Sequence, residues 1–181
     1  SKLLELEEKL KVSEGKNQKT LSMAQQTKSG NVYIISNIGS FGENIHKIGM
    51  TRRLEPMDRV KELGDASVPF EFDVHSMIYS DDAPGLEFLL HKKFLENQVN
   101  KVNPRKEFFY IPLSELKKEI DAMGISSKWT MKAEAEQYRE SKAIEESWET
   151  NPSEKENWLR SQSKFDISGH ALSLERDMAN N

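Results

Sequence analysis

The sequence contains no cysteine, which excludes disulfide frameworks and thiolate metal sites. It has no apolar run approaching the ~20 residues that cross a bilayer, and no signal-peptide pattern opens it. A cytoplasmic setting is the expectation from these absences. Hydrophobic residues are scarce, 36% against 31% charged in a chain of 181. That length can bury one good core with extensions or two very small ones, so part of the chain is expected to be solvated helix or tail. Excess positive charge is missing too. The formal net charge of −4 argues, taken whole, against a nucleic-acid partner.

The distribution of charge reverses that argument. Residues 28–118 hold thirteen basic and thirteen acidic side chains, whereas residues 119–181 hold eight basic and thirteen acidic. The acidity therefore sits in the tail. The middle keeps a local basic cluster, Lys92, Lys93, Lys101, Arg105 and Lys106, in which Glu96 is the opposing charge. Such a cluster can pair with phosphates, although a solvated basic loop is the commoner meaning of this composition.

Leu3, Leu6 and Leu10, with Leu4 beside them, recur at helical spacing among charged residues. Residues 1–12 read as the end of a coiled coil or amphipathic helix, a route to a homo-oligomer, and the chain reads as a piece of something longer. Residues 13–28 read as a polar linker. A strand follows at Val32–Ser36, then a turn-rich loop over Asn37–Gly42 and a return strand at His46–Met50. Pro56 suits the first turn of a helix with Met57, Val60 and Leu63 on one face, stopped by Gly64. Phe70–Tyr79 alternates as a third strand, with a slip at His75–Ser76. A helix over residues 82–96 carries the stripe Leu86, Leu89, Leu90 and Phe94. Phe108–Ile111 is a short apolar segment, and Ser114 can cap a helix ending at Gly124. Strand, strand, helix, strand, helix predicts an α+β domain over residues 29–124. An acidic extension, residues 125–181, contains a charged helix from Met131 to Glu149 and a loose tail.

Four features of the middle domain bear on chemistry. They are Tyr33 in the first strand; Lys47-Ile48-Gly49 in the second, followed by Arg52 and Arg53; Arg59 on the first helix; and Glu87 with His91, one helical turn apart. Each alone has an ordinary meaning: a packed tyrosine, an edge lysine, a solvated arginine, a surface Glu/His pair. In order, they form a pattern. Gly30-Asn31-Val32-Tyr33, Lys47-Ile48-Gly49-Met50-Thr51, Arg59 to Leu63, Val68-Pro69-Phe70, Glu87 to His91 and Glu107-Phe108-Phe109 together resemble the GIY-YIG endonucleases. They resemble more narrowly the branch named after a phage T5 open reading frame, whose second half-motif reads KIG. Asn31 stands at the first glycine of the motif, with Gly30 beside it, and Lys47 at the second tyrosine.

The resemblance covers about half the chain. It implies a three-stranded antiparallel sheet flanked by helices, and a divalent-metal endonuclease acting on DNA. Tyr33 would lie near the attacking water and Lys47 at the second-tyrosine position. Arg59 would contact the scissile phosphate, Glu87 would bind the Mg²⁺ (Mn²⁺ substituting), and His91 would orient Glu87 or touch phosphate. The family's late asparagine has two positional candidates, Asn100 and Asn103. The basic residues Arg52, Arg53, Lys92, Lys93, Lys101, Arg105 and Lys106 would bind the DNA backbone. Glu107 reads as structural. The general base is Tyr33, if cationic neighbours favour its phenolate, or a desolvated Lys47. Domains of this branch accompany coiled-coil proteins that resemble anti-phage defence proteins, so defence is one expected context, with a restriction or mobile-element nuclease as its competitor. A catalytically weak DNA-binding module is the alternative from another class. The acidic helix is expected to shield the basic cluster until DNA displaces it.

Overall fold

The computed structural model describes residues 2–162, and for residues 17–26 the backbone alone. The chain divides into two units, Ser1–Ala135 and Glu136–Asn181. The first opens with helix α1 (Lys2–Lys28) and continues through β1 (Gly30–Ser36), the short α2 (Ile38–Phe41), β2 (Ile45–Thr51) and α3 (Pro56–Asp65). It goes on with β3 (Asp73–Ser80), α4 (Ala83–Lys93), β4 (Phe108–Tyr110) and α5 (Leu113–Ala122). The second unit holds α6 (Glu136–Thr150) and α7 (Pro152–Ser161). The remainder of the expected loose tail, residues 163–181, lies outside the described residues.

The sheet is antiparallel with strand order β3-β1-β2-β4. It has four strands rather than the expected three. The fourth is the apolar segment at Phe108, which pairs with β2 as Lys47↔Phe108, His46↔Phe109 and Ile45↔Tyr110. The slip in the third strand is real: the register against β1 shifts between Ile34 and Ile35, and His75 is the extra residue.

β1 is the central strand, and its alternation feeds two cores. Val32 and Ile34 face one side, where Ile48, Leu86, Leu90, Phe109, Leu116 and Ile120 close the larger core under α4 and α5. Tyr33 and Ile35 face the other side, covered by Val60 and Leu63 of α3 with Phe72, Val74 and Met77. On α4 the buried stripe is Leu86 and Leu90; Leu89, expected inside, is 53% exposed. Met57 of α3 is likewise exposed.

Three local expectations change. α1 runs through the stretch read as a linker. The loop after β1 contains the single turn α2. α5 starts at Leu113 with Pro112 as its N-terminal flank, so Ser114 lies inside the helix and caps nothing. Its C-terminal end is as expected, with Gly124 at φ +78 after Met123.

Residues 127–130 lie against the outer edge of β3. Ser76 Oγ meets Ser127 Oγ at 2.5 Å and donates to the Lys128 carbonyl at 3.0 Å. Thr130 N–H donates to the His75 carbonyl at 2.8 Å, and His75 Nδ1 returns a bond to the Thr130 carbonyl at 2.7 Å. Ala135 N–H then donates to Asp73. In the second unit, Asn151 caps α7, and Trp148 of α6 meets Trp158 of α7 edge-on at 5.3 Å. No helix among the described residues is long and apolar enough to cross a membrane.

Candidate active site

The β1–β2 register places Tyr33 opposite Gly49 and Ile35 opposite Lys47, so Tyr33 and Lys47 emerge on the same face of the sheet. The Tyr33 ring lies on Gly49. A Cβ there would stand 2.4 Å from the hydroxyl oxygen and 2.5 Å from the ring carbon bearing it. Glycine at this position is thus the condition for the tyrosine's place. From the α3 side, the positive charge of Arg59 favours the ionised Tyr33 hydroxyl, against the effect of burial.

The second half of the site forms where the sheet runs out. β4 pairs with β2 only as far as Lys47. One step on, the Ile48 N–H donates to the Glu107 carbonyl at 3.1 Å, while the Ile48 carbonyl is met by a side chain. His91 of α4 takes it, donating from Nε2 at 2.6 Å. α4 is set in register by Asp82, whose carboxylate accepts from Gly85 N–H at 3.1 Å, with Pro84 in the first turn. Leu86 and Leu90 anchor the helix in the core. The next residue after each, Glu87 and His91, is consequently carried to the β2 edge.

Glu107 completes this cluster. It immediately precedes β4, and its carboxylate accepts from Lys47 Nζ at 2.9 Å. The Lys47 ammonium also stands over the Phe108 ring, 5.3 Å from its centroid. The Glu107 and Glu87 carboxyls lie close enough to interact, with an oxygen of each within 4.8 Å of the other. One ligand-type atom from each of Glu87, His91 and Glu107 lies within 4.8 Å of the others. All three side chains are partly buried, with exposures of 18% for Glu87, 22% for His91 and 27% for Glu107.

The electrostatics follow from this crowding. Burial, reinforced by the charge and hydrogen bond of Glu107 and only partly offset by Lys47, pushes the Glu87 carboxyl up to about 7. Burial also drives the Tyr33 hydroxyl up to about 12; Glu107 and Glu87 add to that, and Arg59 opposes it. Two carboxylates held together against desolvation are the arrangement a divalent cation relieves. The residues present therefore fit such an ion.

Tyr33, Lys47, Arg59, Glu87 and His91 are thus brought into one neighbourhood. Glu107, read from sequence as structural, belongs with them. Its one signal in the sequence is its position immediately before an aromatic segment. The basic residues disperse. Arg53 pairs with Glu62, which Arg59 also approaches at 3.6 Å. Arg52 donates to the Thr27 carbonyl. Lys93 pairs with Glu119 at 3.1 Å. Lys101 turns inward to the Glu96 and Gln98 carbonyls, fastening its own loop. Lys92, Arg105 and Lys106 are exposed. Asn100 and Asn103 accept from loop N–H groups, Asn100 from Val102 and Asn103, and Asn103 from Arg105. They shape that loop rather than the cluster.

A T5orf172 domain model matches residues 30–124. The chain belongs to the T5orf172 domain family. The match begins with β1, ends after α5 and takes in every residue of the cluster. No curated protein and no solved structure matches the chain. T5orf172 is a nuclease-related domain, and a nuclease-like or DNA-binding function comes with membership.

Proposed function

We propose that this T5orf172 domain is an endonuclease of the GIY-YIG type, hydrolysing DNA phosphodiester bonds with a divalent cation, Mg²⁺ or Mn²⁺. The observation that carries the reading is the convergence on Tyr33. Its ring lies on Gly49 beside the Lys47–Glu107 pair, and Arg59, Glu107 and Glu87 all act on the charge of its hydroxyl. Lys47 stands two cross-strand pairs along, on the same face. Phosphodiester hydrolysis adds water across a P–O ester bond and loads negative charge on the phosphoryl and leaving oxygens. Permanent positive charge aimed at those oxygens is the largest single aid to it.

Arg59 supplies that charge in planar, two-toothed form. Glu87 would hold the cation, which would supply Lewis-acid stabilisation of the developing charge. Tyr33, pushed up to about 12, is a neutral hydroxyl at neutral pH when no ion is bound. Its primary role is to hold the attacking water in line by hydrogen bonding. Lys47, on the same face of the sheet as Tyr33, would add a second positive charge beside the phosphate. Lys92, Arg105 and Lys106 are exposed cations suited to phosphate contacts, which carry no sequence information. We therefore extend the proposal to weak sequence preference. An anti-phage context is part of the same reading and rests on the resemblance in sequence.

Plasmid cleavage tests the proposal. Wild type should nick or linearise supercoiled DNA with Mg²⁺ or Mn²⁺, and lose activity with EDTA, with Glu87→Ala and with Arg59→Ala. Intact DNA binding with no cleavage by wild type under any of these ions would replace the nuclease with a binding module.

A further inference from the structure

The cluster at the β2 edge contains a nitrogen whose state is set by the backbone. His91 Nε2 donates to the Ile48 carbonyl at 2.6 Å, so in the neutral ring the proton resides on Nε2 and Nδ1 carries a free lone pair. Nδ1 stands 3.8 Å from Glu87 Oε1, beyond hydrogen-bond length. The ring is further held by Phe109, centroid to centroid 5.3 Å. A histidine whose far nitrogen is tied to a main-chain carbonyl, with its near nitrogen turned toward carboxylates, has the orientation that metal-binding histidines adopt. Glu87 and Glu107 place one oxygen each within 4.8 Å of the others' ligand atoms. The second oxygen of Glu107 remains available to Lys47, which holds Oε2 at 2.9 Å.

We propose that His91 Nδ1 and Glu107 join Glu87 in a three-ligand centre that selects first-row transition-metal ions, Mn²⁺ among them, over Mg²⁺. The inference rests on the reading above, in which Glu87 binds the cation. It adds two ligands and the class of ion. Mg²⁺ prefers oxygen ligands and retains its waters, whereas imidazole suits transition metals. Two carboxylates neutralise a divalent charge, and the three side chains leave positions open for water and phosphate.

The test is binding to the chelator-stripped full chain without DNA. Titration calorimetry should give one equivalent of Mn²⁺ bound at least roughly tenfold tighter than Mg²⁺. His91→Ala should erase most of that preference while changing Mg²⁺ affinity little, and Glu107→Gln should weaken both ions. Because His91→Ala also removes the bond to Ile48, a second readout uses the wild type. Diamagnetic Zn²⁺ should shift the ¹⁵N resonance of His91 Nδ1 and leave those of the buried His46 and His75 in place. Equal affinity for Mn²⁺ and Mg²⁺, or an unmoved His91 nitrogen at Zn²⁺ saturation, would overturn the proposal. Cleavage with Mg²⁺ would in that case keep the nuclease reading intact. Loss of all cleavage despite tight Mn²⁺ binding at these three residues would sink the nuclease reading and leave the centre standing.

Discussion

Gly49→Ala is the smallest change that should disturb the whole site. The added methyl would lie 2.4 Å from the Tyr33 hydroxyl oxygen, with two ring carbons at 2.5 Å and 2.7 Å. Ordinary separation between such atoms is about 3.5–4.0 Å, so the ring must retreat by roughly 1 Å. It has nowhere easy to go. Tyr33 is 2% exposed and packed with Ile35 and Val60. Overpacking of this kind costs about 1–3 kcal/mol, read as a lower urea midpoint. A displacement of that size at a reacting centre is worth about 100-fold in rate, so cleavage should fall by a similar factor. Repeating the substitution in a Tyr33→Ala background isolates the clash. With the ring gone, alanine in a strand should be favoured over glycine by roughly 0.5–1 kcal/mol, and the sign of the effect should invert. The same stability loss in both backgrounds would refute the argument, because the cost would then arise from something other than the tyrosine.

Other expectations concern the core, the histidines and DNA. Phe109 is 2% exposed in the larger core, and Phe109→Ala should cost about 3–5 kcal/mol in urea unfolding; a loss under about 1 kcal/mol would mean that β4 contributes little to the fold. Burial, with His75 adding to it, lowers His46 from 6.5 to about 4 despite its bond to the Ile111 carbonyl. Its folded form stays neutral while the unfolded chain takes up a proton, so stability falls as pH drops from about 6.5 to 4, by roughly 3 kcal/mol in total. Glu87, raised to about 7, has the opposite slope, so the measurement belongs in a Glu87→Gln background; an imidazole resonance of His46 titrating near 6.5 would contradict it. Removing the exposed Lys92, Arg105 and Lys106 together should flatten the slope of log K for DNA against log salt by roughly 0.9 for each phosphate no longer neutralised. An unchanged slope would place the DNA elsewhere on the protein.

How much of the fold and of the site is legible in the sequence depends on whether a signal is local. The hairpin of β1 and β2 and the helices α3 and α4 announce themselves through β-branched runs, prolines at first turns and i, i+4 stripes. Tyr33, Lys47, Arg59, Glu87 and His91 are found by their order along the chain. β4 is recognisable only as an apolar segment, because three residues carry no periodicity and its pairing with β2 is long-range. Glu107 escapes for the same reason: its partners, Lys47 and Glu87, are 60 and 20 positions away. Leu89 reads as an inside residue when apolar positions are counted without regard to the angle at which α4 meets the sheet. The helix through residues 13–28 is hidden by Gly15 and the serines, although the Gln, Lys and Ala content of that stretch has ample helix propensity. The basic cluster is a tally of side chains, and a tally cannot foresee that Lys101 bonds its own loop or that Lys93 meets Glu119.

The short stretch after Gly124 sets where the domain can be cut. A piece ending at residue 124, the limit of the family match, would lose Ser127, Lys128 and Thr130 from the side of β3. The His75 carbonyl and the Ser76 hydroxyl would then face solvent at the open edge of β3, a ready template for a strand from another molecule. Such a piece should assemble or precipitate, where one ending after Ala135 stays monodisperse. The family match and the compact unit end at different places, and the interval between them would shield the open edge of β3 from self-association.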